Sequence, residues 1–416
     1  MKLRKKIKEI KKNVKIYFLK FFLIKKAKTI LSVDEKYRKI GFLTPLPPAE
    51  TGTAMYALKV YRNIFNNLDF ISDIYDLTTY RKTLSFIPEK YHSHIVPLVL
   101  GQTRTYEHVF FNLGNSSFHI PYLRYAIKTK GKENRSIILC ETQICNMLQI
   151  YCKENNINFA DILQKYYPEK NLEFELSSDF SKKLKDENIF GIRPLIDLTG
   201  IKHFIVYRKL GKEMLFSDLK GSVFEEGVRV CVIPMGFERI LPQPVAASLE
   251  KEGYNIGSFG IAHDMKQTDK IINAVNLLNA QGKKVTLWLA GYHVSSYVRL
   301  FDLTNVRIVE NINYTELYSI MSAVDLAVQL RKFSNGEGSG CISELIALNK
   351  NFIAAENLFE LHFKQAGVSV PSDCSAEDLA ERIWNELKNK TVRNNAKILE
   401  TYTFKNTAEK FMETLQ

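Results

Sequence analysis

Residues 256–291 read IGSFGIAHDMKQTDKIINAVNLLNAQGKKVTLWLAG, and this stretch sets the expected fold class. It begins with a short apolar run, continues as an amphipathic helical pattern over 269–281 and ends in a second apolar run at 285–291. A strand, a helix and a strand in this order are typical of a parallel sheet with a crossover helix on one face.

Apolar runs and helical patterns alternate along most of the remaining chain. The first series of predicted strands is IGFL at 40–43, VFFNL at 109–113, IILC at 137–140 and FIVY at 204–207. The second series adds VCVI at 230–233, VRIV at 306–309, LAVQL at 326–330 and NFIAA at 351–355 to the two runs quoted above. Two such series predict an α/β protein of two doubly wound domains joined near residues 232–244, and a length of 416 residues agrees with two cores.

Ligands of doubly wound sheets bind at the carboxyl ends of the strands. The loops that follow predicted strands in this chain are residues 44–54, 113–119, 260–266 and 334–340. We therefore expect these four loops on one side of a cleft between the domains.

The last of these loops, SNGEGSG at 334–340, precedes an apolar helical pattern. A helix start leaves its first N–H groups unpaired and carries partial positive charge, which suits a phosphate group. Gly338 and Gly340 would allow close approach of such a group. Glu337 and Glu344 are seven residues apart, which would place both carboxylates near one helical face. The alternative is a surface turn in which Glu337 merely favours the helix start and Glu344 is solvated.

The formal charge of +13 is concentrated at the amino terminus, since residues 1–28 carry +11 and the rest of the chain carries +2. Apolar residues from Leu3 to Phe21 recur there at steps of three and four, which predicts an amphipathic helix. The apolar run at 17–24 is too short to span a bilayer and contains Lys20, so we expect binding to an anionic membrane surface. A helix packed on the body of the chain, or an RNA-binding arm, is the alternative.

The six cysteines lie at positions 140, 145, 152, 231, 341 and 374, without a C-x-x-C pair or an accompanying histidine cluster. This pattern predicts free thiols in a reducing cytosol rather than disulfides or a zinc site. A hydrophobic content of 45% and an aromatic content of 12% are globular values and argue against disorder.

Four segments resemble, in the same order, the retaining glycosyltransferases of family 4, in the branch whose first strand is followed by a PLPPxxxG loop. They are IGFLTPLPPAETGTAMY at 40–56, FFNLGNSSFH at 110–119, IGSFGIAHDMKQTDKIINA at 256–274 and QLRKFSNGEGSGCISELIALNKNFI at 329–353. The resemblance implies the GT-B architecture, in which two Rossmann-like domains face each other across a cleft. The implied division is a basic arm at 1–36, an acceptor domain at 37–228, a donor domain at 229–398 and a helix at 399–416 that returns to the first domain.

The resemblance also implies roles for residues that match the family's motifs. Lys266 would pair with the diphosphate of a nucleotide diphosphate sugar and steady the leaving group, whereas Glu337 would accept hydrogen bonds from the transferred sugar and Glu344 from the ribose. The implied donor-binding set is Gly52, Thr53, Asn115, Lys266, Glu337, Gly338, Ser339, Gly340, Cys341 and Glu344. The implied catalytic set is Glu337, Lys266 and His119, and for His119 a purely structural role is an equal alternative.

One departure from the branch concerns the strand that ends near residue 139. The branch usually reads L-H-D where this chain has Leu139, Cys140 and Glu141. In the branch this histidine commonly contacts the donor sugar, and this chain has Cys140 in its place. Glu141 is a candidate carboxylate on the acceptor side.

We therefore expect a metal-independent retaining glycosyltransferase that acts on a lipid-linked or surface glycan at the inner membrane face of a bacterium, in surface polysaccharide or lipopolysaccharide assembly. No D-x-D motif occurs to hold a divalent ion, so we expect no metal and no cofactor besides the nucleotide-sugar co-substrate. The expected partners are the donor, the glycan acceptor and an anionic membrane bound through residues 1–28, with no nucleic acid. The alternatives are a degenerate, non-catalytic GT-B protein that binds glycan or a partner, a GT-B epimerase or phosphorylase, and, least favoured, an RNA-binding protein.

Overall fold

The computed structural model describes a chain of two compact units. The described residues are 40–49, 51–74, 77–98, 105–170, 180–241, 249, 252–292, 294–310, 313–389 and 393–415, so the basic arm lies outside them. The first unit comprises the described residues through Pro234, together with Asn335–Glu337 and the chain from Ala408 onward. The second unit comprises Met235–Ser334 and Gly338–Thr407.

The first unit contains a parallel sheet with the strand order β3-β2-β1-β4-β5-β6-β7 among the described residues. Its strands are β1 (Ile40–Leu43), β2 (Leu68–Ser72), β3 (Ile95–Pro97), β4 (His108–Leu113), β5 (Arg135–Leu139), β6 (His203–Val206) and β7 (Arg229–Val232). Its helices are α1 (Gly52–Tyr61), α2 (Leu77–Leu84), α3 (Ile120–Lys128), α4 (Cys145–Glu154), α5 (Phe159–Tyr166), α6 (Phe180–Asp186), α7 (Ile192–Thr199) and α8 (Lys209–Leu219).

The central strands of this sheet are buried because helices cover them on both sides. β1, β2 and β5 are buried along their whole length, including the polar residues Asp69 and Ser72 of β2 and Arg135 and Ser136 of β5. The last helix among the described residues, Phe404–Glu413, contributes Phe411 to the first unit. The Phe411 ring lies 4.2 Å from that of Phe110 and 4.7 Å from that of Tyr61, so the carboxyl terminus completes this core.

The second unit contains a parallel sheet with the order β10-β9-β8-β11-β12-β13. Its strands are β8 (Tyr254–Phe259), β9 (Val285–Gly291), β10 (Val306–Glu310), β11 (Leu326–Gln329), β12 (Phe352–Ala355) and β13 (Val368–Val370). The helices that follow α8 are α9 (Thr268–Ala280), α10 (Val294–Val298), α11 (Tyr314–Ala323), α12 (Gly340–Ala347), α13 (Ala376–Asn389), α14 (Ala396–Thr401) and α15 (Phe404–Glu413). Two parallel sheets with helices confirm the predicted α/β class of two doubly wound halves.

The assignment of VCVI at 230–233 to the second series of strands is wrong. β7 pairs with β6 in the first sheet, where Arg229 lies opposite His203. The physical reason is the short connection, because one helix after β6 returns the chain to the same sheet as its next parallel strand. The first unit therefore extends through Pro234.

Within the described part of the chain, every helix is too short or too polar to cross a bilayer.

Candidate functional site

The carboxyl ends of β8 and β9 in the second unit are held together by two glycines. A Cβ added to Gly291 would lie only 1.9 Å from the carbonyl oxygen of Gly260. Gly260 also donates its N–H to the carbonyl of Ala290 at 2.9 Å and has a φ of +96°, which a side chain would make costly. The loop after β8 is thereby fixed tightly across the end of β9.

This loop ends at Lys266, whose ammonium group returns to the backbone of Gly260. A Cβ added to Gly260 would lie 2.7 Å from Lys266 Nζ and 3.3 Å from Cys341 Sγ, so both groups lie against the same stretch of backbone. Burial lowers the pKa of Lys266, and the charge of Arg331 lowers it further. The lysine is therefore a half-buried cation in contact with the start of α12, rather than a solvated surface group.

The amino terminus of α12 adds partial positive charge beside this lysine. Ser339 caps the helix, and its hydroxyl accepts a hydrogen bond from Ile342 N at 3.3 Å. Gly340 and Cys341 are the first two helical residues, whose N–H groups have no acceptor in a preceding turn. Gly340 is exposed, and a Cβ there would meet open space. The positive charge of the lysine is unfavourable beside the partial positive charge of the helix start. An anion bound here would be attracted by both charges and would remove this repulsion.

Arg331 is a second cation at this position, and the sequence analysis did not single it out. Lys332 donates its N–H to the carbonyl of Met265 at 2.9 Å and its ammonium to Asp264 at 2.7 Å, which ties the Arg331 segment to the Lys266 turn. Burial raises the pKa of Cys341, and the charges of Lys266 and Arg331 oppose this rise without cancelling it. A basic residue directly after the apolar run LAVQL was the available signal, because that position lies at the carboxyl end of a strand.

A pocket in the second unit opens at the same place. Its lining residues include Ser258, Gly260, Ala262, Lys266, Thr268 and Val294. It lies at the carboxyl end of β8, where ligands of doubly wound sheets bind.

Glu344 lies on α12 one turn beyond Cys341, and it contacts α11. Its Oε1 accepts a hydrogen bond from the hydroxyl of Tyr318 at 3.2 Å. Burial raises the pKa of Tyr318 and of Tyr314, and the charge of Glu344 raises both further. Glu344 is thus held among tyrosines and is half-buried, rather than fully solvated.

The prediction that Glu337 and Glu344 share a helical face is wrong. The helix begins at Gly340 with Ser339 as its cap, so Glu337 precedes the helix and helical spacing does not apply to it. The glycine-rich segment resists helix formation, which shifts the start three residues beyond Glu337. Gly338 lies in the same segment. A Cβ there would lie 1.8 Å from Met235 Sδ, so the packing of Met235 requires a glycine at this position whether or not a phosphate binds.

Glu337 belongs to the first unit with its neighbours Asn335 and Gly336. Its Oε2 accepts a hydrogen bond from Asn335 N at 2.5 Å, and its carbonyl accepts one from Arg208 Nη1 at 3.2 Å. Arg208 is buried and lies two residues after the end of β6, and it was not predicted as a site residue. Gly336, with a φ of +81°, packs against the backbone of Gly211. The carboxylate of Glu337 is therefore carried on a segment with several fixed backbone contacts.

Gly52 and Thr53 form the first turn of α1 in the first unit. Thr51 caps this helix by accepting a hydrogen bond from Thr53 N at 3.4 Å. Gly52 is exposed with open space around it, as an approaching ligand would require. The side chain of Thr53 is hydrogen-bonded to the thiol of Cys140, which also donates to Asn112 Oδ1 at 3.0 Å.

The Cys140 and Glu141 pair takes part in local structure. Burial raises the pKa of Cys140 to about 12, so this thiol is neutral. Glu141 Oε1 accepts a hydrogen bond from Asn115 N at 3.1 Å. The Asn115 side chain in turn accepts one from Met147 N at 3.0 Å, which joins its loop to the start of α4. The structure therefore places Asn115 and Glu141 together, with both engaged in holding the loop.

His119 lies beneath its loop rather than on its surface, with 2% of its area exposed. Its Nδ1 donates to the carbonyl of Asn112 at 2.9 Å, and its Nε2 lies 2.9 Å from the position of a Cβ on Gly114. Burial lowers the pKa of His119 to about 4, so the ring is neutral at physiological pH. This geometry supports a positioning role for His119, and a catalytic role stays a prediction.

No family model and no curated protein matches the chain. Several solved structures match it over most of its length. HepE of Anabaena, in complex with UDP-glucose, aligns over 91% of this chain and 99% of its own, with 16% identity and a TM-score of 0.56. Sucrose-phosphate synthase of Thermosynechococcus elongatus aligns over 91% and 98%, with 14% identity and a TM-score of 0.61. The trehalose-6-phosphate synthase OtsA aligns over 91% and 98%, with 10% identity and a TM-score of 0.58.

The chain has the GT-B fold. At these identities the likeness shows the fold, and what the neighbours bind is a property of the neighbours. Among the described residues, no cluster of histidine, cysteine, aspartate and glutamate could hold a metal ion.

Proposed function

We propose that the chain is a metal-independent retaining glycosyltransferase that uses a nucleotide diphosphate sugar as donor. The observation that carries this proposal is the convergence of Lys266 Nζ and Cys341 on Gly260 at the amino terminus of α12. A desolvated ammonium beside an arginine and a helix start is an unfavourable arrangement until an anion binds. The GT-B fold and neighbours solved with UDP-glucose or UDP support a nucleotide diphosphate as that anion.

The proposed donor site holds the diphosphate by the N–H groups of Gly340 and Cys341 and by the charges of Lys266 and Arg331. Negative charge grows on the leaving diphosphate as the bond to the sugar breaks. Preformed positive groups that aim at this charge stabilise the transition state more than the ground state, because they need no reorganisation. Lys266, Arg331 and Cys341 are half-buried, which strengthens their interactions with an anion relative to water.

The proposed sugar contact is Glu337. A carboxylate is a strong acceptor for sugar hydroxyls, and the Asn335 N–H fixes one of its oxygens. The acceptor hydroxyl would attack the anomeric carbon on the face from which the diphosphate departs, so the configuration at that carbon is retained. This front-face route needs no protein nucleophile. Family 4 assignment and retention rest on the sequence resemblance.

The proposed acceptor is a lipid-linked or surface glycan at the inner membrane face. The basic arm supports this proposal, because a peripheral helix would raise the effective concentration of a membrane-bound acceptor. Replacement of Lys2, Arg4, Lys5, Lys6 and Lys8 by glutamate should move the protein into the soluble fraction after cell lysis. A variant that stays with the membranes would show that the arm does not anchor the chain.

A non-catalytic GT-B protein is the second candidate, and a specific observation favours it. Cys140 is neutral and hydrogen-bonded, and His119 is buried, so neither presents a charged group to a substrate. A protein that only binds glycan or a partner should keep its cellular function when Glu337 is replaced by alanine. An enzyme should lose sugar transfer with the same replacement.

The deciding experiment is a thermal-shift panel of UDP, GDP, ADP and their sugars, followed by product analysis. A ligand at a hundred times its dissociation constant adds ~2.7 kcal/mol to the free energy of unfolding, which is readily measured. The active donor would then be incubated with membrane glycolipids, and the anomeric configuration of the product would be read by NMR. Absence of any nucleotide-induced shift would refute the donor site.

A further inference from the structure

The contact between Tyr318 and Glu344 joins two helices of the second unit. Tyr318 lies on α11, whose start is fixed by a capping box in which the Asn313 and Glu316 side chains bond each other's backbone N–H groups. Ile320 and Met321 of α11 are buried in the core of the second unit. The helix therefore cannot rotate freely, and the Tyr318 hydroxyl is presented to α12 in a defined direction.

Glu344 occupies a defined position relative to the start of α12, where Lys266 lies. It lies three residues after Cys341 on α12, so the two share a helical face about 5 Å apart along the axis. The neighbours Leu345 and Ile346 are buried in the core. A ligand whose anionic group sits at the start of α12 would thus extend its next group toward the Glu344 carboxylate.

The Tyr318 hydroxyl occupies one oxygen of that carboxylate. It donates to Oε1 at 3.2 Å, and the Tyr314 ring lies 5.7 Å from the Tyr318 ring on the same face of α11. An ionised carboxylate has about four acceptor sites, so one that Tyr318 holds in a fixed orientation can also accept hydrogen bonds from paired hydroxyls, such as the vicinal hydroxyls of a ribose. A freely rotating glutamate would lose conformational entropy when it binds the same group.

We infer that Tyr318 is a positioning residue that holds Glu344 for recognition of the donor ribose. This inference rests on the proposed function, because it assumes a nucleotide with its diphosphate at Lys266. Its consequence is selectivity, since the fixed carboxylate should favour ribonucleotides over their deoxy counterparts. Tyr318 itself touches no substrate in this proposal.

The test is isothermal titration of the full chain with UDP, GDP and ADP and with the 2′-deoxy and 3′-deoxy form of each. In the wild type, loss of a hydroxyl bonded to a carboxylate should weaken binding about 10-fold or more for at least one deoxy form. Tyr318→Phe should bring this ratio to about threefold or less and leave the affinity for the deoxy form unchanged. Tyr254→Phe is the matched control, because Tyr254 lies at the other end of β8 against Trp384, and it should keep the wild-type ratio.

Each other outcome has a distinct meaning. A Tyr318→Phe variant with the full wild-type ratio would overturn the inference and leave the proposed function standing. Equal loss of affinity for ribo and deoxy forms, with a lower melting temperature, would overturn it as well, since Tyr318 would then merely join two helices. A wild type that binds nucleotides without discrimination would refute ribose recognition by Glu344. A wild type that binds no nucleotide would refute the proposed function itself.

Discussion

Replacement of Lys266 by methionine should have opposite effects on nucleotide binding and on stability. Methionine keeps most of the length and volume of the lysine chain and removes its charge. A charge-assisted hydrogen bond to a phosphate contributes ~1.5–3 kcal/mol, so nucleotide diphosphate affinity should fall about 10-fold to 100-fold. The loss should be specific for di- and triphosphates, because a nucleoside has no group at this position.

The ligand-free protein should become more stable by the same change. In the absence of an anion, the Lys266 ammonium is desolvated, repelled by Arg331 and opposed by the dipole of α12. The unfavourable dipole contribution alone is ~0.3–1 kcal/mol, and a 1 kcal/mol gain raises the melting temperature of a domain of this size by ~2–4 °C.

Calorimetry with and without UDP, GDP or ADP checks both effects, and Lys397→Met on exposed α14 is the control. The control should change neither quantity. The reasoning would be refuted by a Lys266→Met variant that is less stable without ligand, or that binds nucleotide diphosphates within about threefold of the wild type.

Three further predictions concern the two units separately. Gly340→Ala should leave the ligand-free melting temperature equal or slightly higher, because a Cβ there would meet open space and Ala favours helix by ~0.8–1 kcal/mol. The added methyl group should weaken nucleotide diphosphate binding in the same titration, since it would stand beside the N–H groups proposed to bind phosphate; unchanged affinity would count against that site. Burial lowers the pKa of His119 to about 4, so its stabilising effect is fully present above about pH 6.5 and is lost as the pH falls toward 4, by ~3 kcal/mol in the free energy of unfolding. Urea unfolding at several pH values should show a smaller pH slope for His119→Asn, which keeps a donor for the Asn112 carbonyl, and an equal slope would contradict the assignment. Asp218 accepts hydrogen bonds from the Tyr167 hydroxyl and from the N–H groups of Phe190 and Gly191, so Asp218→Ala should cost ~3–5 kcal/mol in urea unfolding, whereas exposed Asp186→Ala should cost almost nothing.

The strands that form the sheet centres could be predicted from the sequence because they are uniformly apolar. IGFL at 40–43 and VTLWLAG at 285–291 match β1 and β9 residue for residue. The strands β2, β3 and β13 were not predicted, because they are short or contain a polar residue or a proline, as in LDFIS, IVP and VSV. Pairing with a neighbour creates these strands, so local sequence carries little signal for them.

The sequence predicted only those site residues whose chemical type suits a phosphate and whose position follows a predicted strand. Lys266 and the start of α12 stood out because a glycine-rich turn and a lysine follow apolar runs. Arg208 and Tyr318 did not, since each gains its relevance from a partner far away in the sequence, Glu337 for Arg208 and Glu344 for Tyr318. Such contacts depend on tertiary packing, which no spacing rule within one segment reveals.

Because Gly260 and Gly291 are in close contact, these two positions should not change independently in evolution. Because a Cβ at position 291 would lie 1.9 Å from the carbonyl oxygen of Gly260, a side chain there can be accommodated only if the loop of Gly260 retreats, and that retreat would carry Lys266 away from α12. Homologues in which either glycine is replaced should therefore also lack a lysine at position 266. A phylogenetic tree would then show at which branch this site changed its ligand.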